Sequence, residues 1–294
     1  MKLLIVNADD FGVTFGVNRA IIEAHSAGTV SSASLMANMP ALSDAVCLAK
    51  ANKALGVGIH LTLASGNSVL PKHIISSLVD RNGRFLSRRA LVTGLITKRV
   101  SLSEIDRELR AQIDVILKSG IVPDHMDGDK HVHILPGIRQ IVVSLAGEFG
   151  FPLRIPNERI TLSDSPYSLF SKKSILAITA LLYRKRMALA TTKLCDEKKV
   201  KYNEKFISIF GLVPRRMPET QHFSMLLDRI TDGVTEMMVH PGYHDQQLEA
   251  FYGERYLSME RELELACLVD PLFKEAVKKN RITIGTYKSV QGSP

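Results

Sequence analysis

The chain has 294 residues, 45% of them hydrophobic and 23% charged, which allows a large buried core and excludes a disordered polypeptide. A formal net charge of +8 gives it a basic surface, but no RNA- or DNA-binding motif is visible, so nucleic acid is not an expected partner. Cys47, Cys195 and Cys267 match no CxxC spacing and fit a reducing cytoplasm better than a disulfide-stapled exported protein.

In chain order, Leu3–Asn7 predicts a buried strand. Its apolar run is too short for a signal-peptide core. Val17–Ala27 predicts a helix, Thr29–Met36 a strand, Ala41–Ala51 a helix and Leu55–Leu63 a strand. Ser103–Lys118 predicts an amphipathic helix with Ser103 as N-cap and Ile105, Leu109, Ile113, Ile116 and Leu117 on one face. The alternation continues with a strand at Ile121–Met126, a helix at Ile138–Phe149 closed by Gly150, and a short strand at Pro152–Ile155. Thr235–Val239 and Ile282–Thr286 are predicted strands, separated by helices at Ser258–Leu268 and Asp270–Lys279. About seven strands alternating with helices predict an α/β fold, a distorted (β/α) barrel of parallel strands with its site at the strands' carboxyl ends.

One domain over 1–294 is expected, with insertions at about 64–100 and 157–217 over the barrel mouth. Within the second, Lys172–Leu194 predicts a helix carrying Ile175, Leu176, Ile178, Leu181 and Leu182 beside Lys172-Lys173 and Arg184-Lys185-Arg186. Such a helix suits a lid, a homodimer contact or peripheral attachment to an anionic membrane, and the expected location is cytoplasmic with that attachment as an addition.

Polar residues stand where apolar strands end. Asp9-Asp10 follows the first strand, and two adjacent carboxylates there need solvent, hydrogen bonds or a cation. His60 interrupts Val57-Gly58-Ile59-His60-Leu61. The segment from Asp124 to His133 holds three aspartates and three histidines, and this mixture of carboxylate and imidazole suits a divalent metal. His240 ends the Thr235–Val239 strand, where an imidazole can serve as a general acid.

Asn7-Ala8-Asp9-Asp10-Phe11-Gly12, Gly58-Ile59-His60-Leu61, the run from His125 to Pro136 and Val239-His240-Pro241-Gly242-Tyr243 together resemble the YdjC-like deacetylase family, which includes chitooligosaccharide deacetylases and proteins associated with hopanoid biosynthesis. The resemblance implies a polysaccharide-deacetylase-like barrel that removes an N-acetyl group from an oligosaccharide or lipid-linked glycan. It implies one divalent ion (Mg, Mn, Zn or Ni), with Asp10 and His60 as ligands, Asp9 as general base and His240 as general acid or substrate-orienting group. His125, Asp127, His131 and His133 would line the site, and Arg154 and Tyr243 join them as candidates for substrate binding or support. The family string His-x-Asp-(Ser/Gly)-His-x-His-x-His places its third ligand where this chain has Asp129. Asp129 either completes an Asp-His-Asp set that favours Mg or Mn, or weakens the site. In the second case His131 is a replacement ligand, or the chain is a non-catalytic sugar- or lipid-binding homologue.

Overall fold

The computed structural model describes residues 1–158, 172–208, 219–252 and 255–291, apart from the side chains of 172–178, 181, 252, 255–258 and 291. Its centre is β1 (Lys2–Phe11), whose two faces have different compositions. Leu4, Val6 and Ala8 join the main hydrophobic core, packing outward against helices. Leu3 and Ile5 point the other way, into a small cluster with Val234, Tyr287 and Val290. Because side chains alternate along a strand, Asn7 and Asp9 continue that inner face beyond its apolar floor. The strand predicted at Leu3–Asn7 therefore runs further, and carries the acids within it.

All pairings of named strands are parallel, in the order β4-β3-β2-β1-β6-β5, with β2 at Ser32–Leu35, β3 at Gly56–Leu61, β4 at Met126–Gly128, β5 at Lys205–Ser208 and β6 at Gly233–Val239. β7 (Ile282–Ile284) pairs with the first residues of β1, from Lys2↔Ile282 to Leu4↔Ile284. Single parallel bridges Met126↔Leu153, Leu153↔Tyr202 and Glu158↔Phe206 link the two edge strands and curl the sheet into a distorted barrel. The expected α/β barrel of parallel strands is the observed architecture.

Two strand assignments change. Ile121–Met126 is not a strand, because Pro123 offers no N–H to a ladder, and Val122 is 85% exposed; after an Asp124 N–H bond to the Val57 carbonyl, the regular ladder begins at Met126. Pro152–Ile155 makes only the isolated bridges at Leu153, and the seventh strand is instead β5. β5 lies inside the stretch 157–217 and is only four residues long with Lys205 at its start, a pattern too short to register as a buried strand.

Helices cover the outside. α1 (Phe15–Ser26) buries Val17, Ala20, Ile21 and Ala24, and Thr14 Oγ accepts from Val17 N–H at its start. Between β2 and β3 lies α2 (Leu42–Ala51), and α3 (Arg88–Ile96) follows a long connection. α4 (Leu102–Lys118) buries Ile105, Leu109, Ile113 and Ile116 as expected, with Ser101 rather than Ser103 at the cap position. Beside that stripe, α4 carries an acceptor ladder. Gln112 exchanges two hydrogen bonds with the Thr62 backbone, Glu108 accepts from Val69 and Leu70 N–H, and Glu104 accepts from Ser77. These bonds pin residues 62–77 to the barrel wall. α5 (Ile138–Phe149) ends at Gly150, whose φ of 73° is the left-handed stop the sequence anticipates.

α6 (Lys172–Lys198) packs Met187, Ala188, Thr191 and Cys195 inward, while Leu182, Tyr183 and Leu189 are exposed. The side chains of Ile175, Leu176, Ile178 and Leu181, on which the expected membrane face rests, lie outside the described residues, as do 159–171 and 209–218 of the second predicted insertion. Among the described residues, no helix is long and apolar enough to cross a membrane. Among the described residues the remaining α-helices are α7 (Thr220–Asp228), α8 (Gln246–Tyr252), α9 (Arg255–Val269), α10 (Pro271–Lys279) and α11 (Lys288–Gln291).

Candidate metal and active site

In a regular strand Asp9 and Asp10 would face opposite sides. Asp10 instead adopts a left-handed φ of 69°, and the register of β1 against β2 shifts between Ala8 and Phe11. This bulge re-aims Asp10, so that both acids meet His60. Both are at most about 5% exposed.

His60, on the inner face of β3, is the pivot. Its Nδ1 lies 2.6 Å from Asp127 Oδ1, a carboxylate that can only accept at neutral pH, so Nδ1 carries a proton in either state of the ring and Nε2 is the nitrogen left to bind an ion once its own proton is displaced. Nε2 lies 3.7 Å from Asp10 Oδ1. Burial opposes a charge on this ring, but the carboxylates of Asp127, Asp9 and Asp10 outweigh it and push the imidazole pKa up to about 10. The field at this point calls for a cation.

Among the described residues, two sets of three side chains around His60 bring one donor atom each within 4.8 Å of one another: Asp9, His60 and Asp127, and Asp10, His60 and Asp129. Hydrogen bonding distinguishes them, although Asp10 Oδ2 also accepts from Arg261 and Asp129 Oδ2 from Ser65, each at 2.5 Å. In the first set His60 Nδ1 is committed to Asp127, and Arg154 already grips Asp9 through two bonds of 2.6 and 2.7 Å and Asp127 at 2.8 Å. The second set uses His60 Nε2, 3.7 Å from Asp10 Oδ1, whose proton an entering ion would displace. Two carboxylates and one imidazole whose other nitrogen is oriented by a carboxylate fit a divalent cation. The three residues that the family resemblance offers as candidate ligands are thus brought together.

Asp129 sits where β4 gives way to a tight turn in which Lys130 and His131 are both left-handed, at φ 50° and 54°. Its Oδ2 accepts from Ser65 Oγ at 2.5 Å. Burial pushes its carboxyl pKa up, and Lys130 pulls it back. His131 is not in either set; its ring packs edge-on against Phe206 at 5.7 Å.

Arg154 organises the barrel interior. The fully buried guanidinium bonds Asp9, Asp127 and Glu236, the last at 2.6 Å through Nε. Glu236 in turn accepts from the Tyr287 hydroxyl. For Asp127, burial raises the carboxyl pKa, but Arg154 and His60 outweigh it and hold the group well below the usual carboxylate range.

The other predicted residues divide. His125 is not in the ligand cluster: it lies deeper, stacked on Tyr287 at 4.1 Å, with Nδ1 on Asp124 and Nε2 3.2 Å from Ser34 Oγ. Gly58 makes room for it, since a Cβ there would stand 2.2 Å from the ring. His133 donates from Nε2 to the Arg154 carbonyl at 3.0 Å, supporting the chain that carries the arginine. His240 Nε2 stands 4.0 Å from Asp9 Oδ2; burial lowers its pKa to about 4, against the pull of Asp9, so the ring is neutral at physiological pH. Tyr243 is not brought in. It bonds Glu23 and lies under Arg19, both on α1.

Sequence reasoning missed several groups. Arg261, on α9, reaches Asp10 Oδ2 at 2.5 Å, and Glu264, one turn on, accepts a backbone hydrogen bond from His240; burial pushes the Glu264 carboxyl up to about 8. Nothing in a charged helix distinguishes these from solvated residues. Glu236 did carry a signal: an acid inside the apolar strand Val234–Val239 demands a buried partner.

A protein-family model described as YdjC-like protein matches residues 3–279. The chain belongs to the YdjC-like family. Two curated relatives named carbohydrate deacetylase, from Geobacillus stearothermophilus and Brevibacillus brevis, are 34% and 33% identical over 288 residues. Each alignment covers 98% of this chain, with 97% and 99% of the respective relative. A crystal structure from Enterococcus faecalis, provisionally described as a cellobiose-phosphate cleavage protein, superposes with a TM-score of 0.78 at 28% identity and 98% coverage of both chains. The family match includes Glu236 but stops short of Tyr287, so in this YdjC-like chain the Glu236–Tyr287 contact reaches beyond the matched segment.

Proposed function

We propose that this chain is a divalent-metal-dependent carbohydrate deacetylase that hydrolyses the acetamide of an N-acetylated sugar. The observation that carries this reading is the buried juxtaposition of two functions around His60: a cation-seeking set, Asp10, His60 and Asp129, and an arginine-held carboxylate, Asp9. The curated relatives named carbohydrate deacetylase supply the substrate class.

Asp10, His60 and Asp129 would hold the ion, which when bound supplies electrophilic polarisation of the acetamide carbonyl and charge stabilisation in the transition state. The oxygen-rich donor set favours Mg or Mn over Zn. Asp9, oriented by the two guanidinium bonds of Arg154, takes a proton from the attacking water. His240 starts neutral, so it has no proton of its own to spare; from 4.0 Å it would receive that proton from Asp9 through one bridging water and pass it to the departing amine. Asp127 keeps the His60 lone pair facing the ion.

The proximity of Asp129 to Asp10 and His60 favours this reading over a binding-only homologue and over His131 as the third ligand. Acetate release from a panel of N-acetylated oligosaccharides and lipid-linked glycans, with Mn, Mg, Zn or Ni supplied, tests it. Release in the presence of one of these ions is expected, and none with any of them refutes it. Asp127→Asn should weaken Mn binding about 10- to 100-fold by calorimetry, the usual cost of losing a carboxylate that orients a ligating histidine. An unchanged affinity would show that His60 does not depend on Asp127.

A further inference from the structure

Lys130 is conspicuous at the edge of the site. It and His131 hold two consecutive left-handed conformations, which side-chain-bearing residues adopt only where their surroundings impose them. This backbone brings the Lys130 ammonium back over residues 64 and 65: it donates to Ser65 Oγ at 2.6 Å and to the Ala64 carbonyl at 3.3 Å, and stands 3.7 Å from Asp129 Oδ2. Ser65 accepts from Lys130 and passes its own hydrogen to Asp129 at 2.5 Å. The platform is firm, because α4 holds the Thr62 backbone through Gln112 and the Val69 and Leu70 amides through Glu108.

We infer that Lys130 is a tethered cation of the Asp10–His60–Asp129 site, which holds the metal-free site together and lowers its affinity for divalent ions. The inference rests on the metal reading above. Asp129 has Lys130 beside it, as Asp10 has Arg261, so each ligand carboxylate carries a protein cation. A divalent ion entering between them meets the positive charge of Lys130 as well as the attraction of the carboxylates. The lysine side chain is 41% exposed, so solvent screens part of that repulsion without removing it. Lys130 is therefore a positioning residue: it fixes Asp129 through Ser65 and sets the charge against which metal binds.

The test uses the full chain with Mn²⁺ as probe, measuring affinity by calorimetry and the melting temperature with and without metal. Lys130→Met removes the charge and keeps the bulk; Lys130→Asn removes it with a residue suited to left-handed backbone, so a folding failure of the first leaves the second to decide. Both should bind Mn²⁺ about tenfold more tightly than the native chain, from the removed repulsion. Both should also melt earlier without metal and gain more from its addition, while Lys130→Arg should stay near the native values. Neutral variants that bind Mn²⁺ no more tightly than the native chain overturn the inference alone. A native chain that binds no Mn²⁺, Mg²⁺, Zn²⁺ or Ni²⁺ overturns the metal reading and the inference with it.

Discussion

Replacing Asp9 with asparagine should lower the turnover number by about a hundred- to ten-thousand-fold, the usual worth of a positioned general base, while leaving metal content and KM close to native. Asparagine keeps the shape of the side chain and can still accept from Arg154 through its carbonyl oxygen, but it cannot take a proton from water. The proposed ligands are other residues, and Arg154 keeps Asp127 and Glu236 as partners, so neither the metal set nor the barrel interior loses its anchor. Steady-state acetate release together with elemental analysis separates the two effects. Native turnover in Asp9→Asn would remove Asp9 from the base role; a variant that loses its metal would make it a ligand.

Arg154→Met should be the most destabilising single change in the barrel interior. The guanidinium is fully buried and satisfies three carboxylates, and removing one partner of a buried ion pair costs about 3–5 kcal/mol because the remaining charge is left without compensation. Urea unfolding should show a deficit in that range, and Arg154→Lys should recover part of it, since an ammonium keeps the charge without the forked geometry. The deficit should grow with pH. Burial already raises the Glu236 carboxyl, and Arg154 lowers it; without the guanidinium this carboxyl and that of Asp127 would titrate higher in the folded state. A group whose folded pKa is raised costs stability as pH climbs past its unfolded value. A deficit larger at pH 5 than at pH 8 would contradict this account, and so would stability indistinguishable from native.

The site was legible in the sequence to the extent that its residues were anomalies. Asp9, Asp10, His60 and Asp127 interrupt apolar strand patterns, and a buried charge or imidazole in such a place calls for a partner. The pattern could not show how adjacent acids would share one site; that depends on the left-handed turn at Asp10, which no periodicity reveals. Asp129 stood out as a departure from the family string, but its fit depended on a distance. Arg261 and Lys130 were illegible for the opposite reason: a basic residue on a charged helix or turn looks solvated until the chain folds it onto a carboxylate. Tyr287 shows the same limit at long range, since its stacking on His125 joins residues far apart in the chain.

The fold was read more fully than its boundaries. Alternating strands and helices determine a parallel barrel, and the apolar stripes of α1, α4 and α5 are where the periodicity places them. The differences fall at β4, where Pro123 delays pairing, and at β5, too short to stand out.

The most direct test is a metal titration of acetate release. Chelated protein should release no acetate from N-acetylated sugars, and activity should return in proportion to added Mn²⁺, Mg²⁺, Zn²⁺ or Ni²⁺ up to one ion per chain. Asp10→Asn with His60→Gln should neither bind the ion nor recover. Acetate release that persists at the native rate in thoroughly chelated protein, or that survives in the doubly substituted chain, would contradict the assignment of Asp10, His60 and Asp129 as the metal site of a deacetylase.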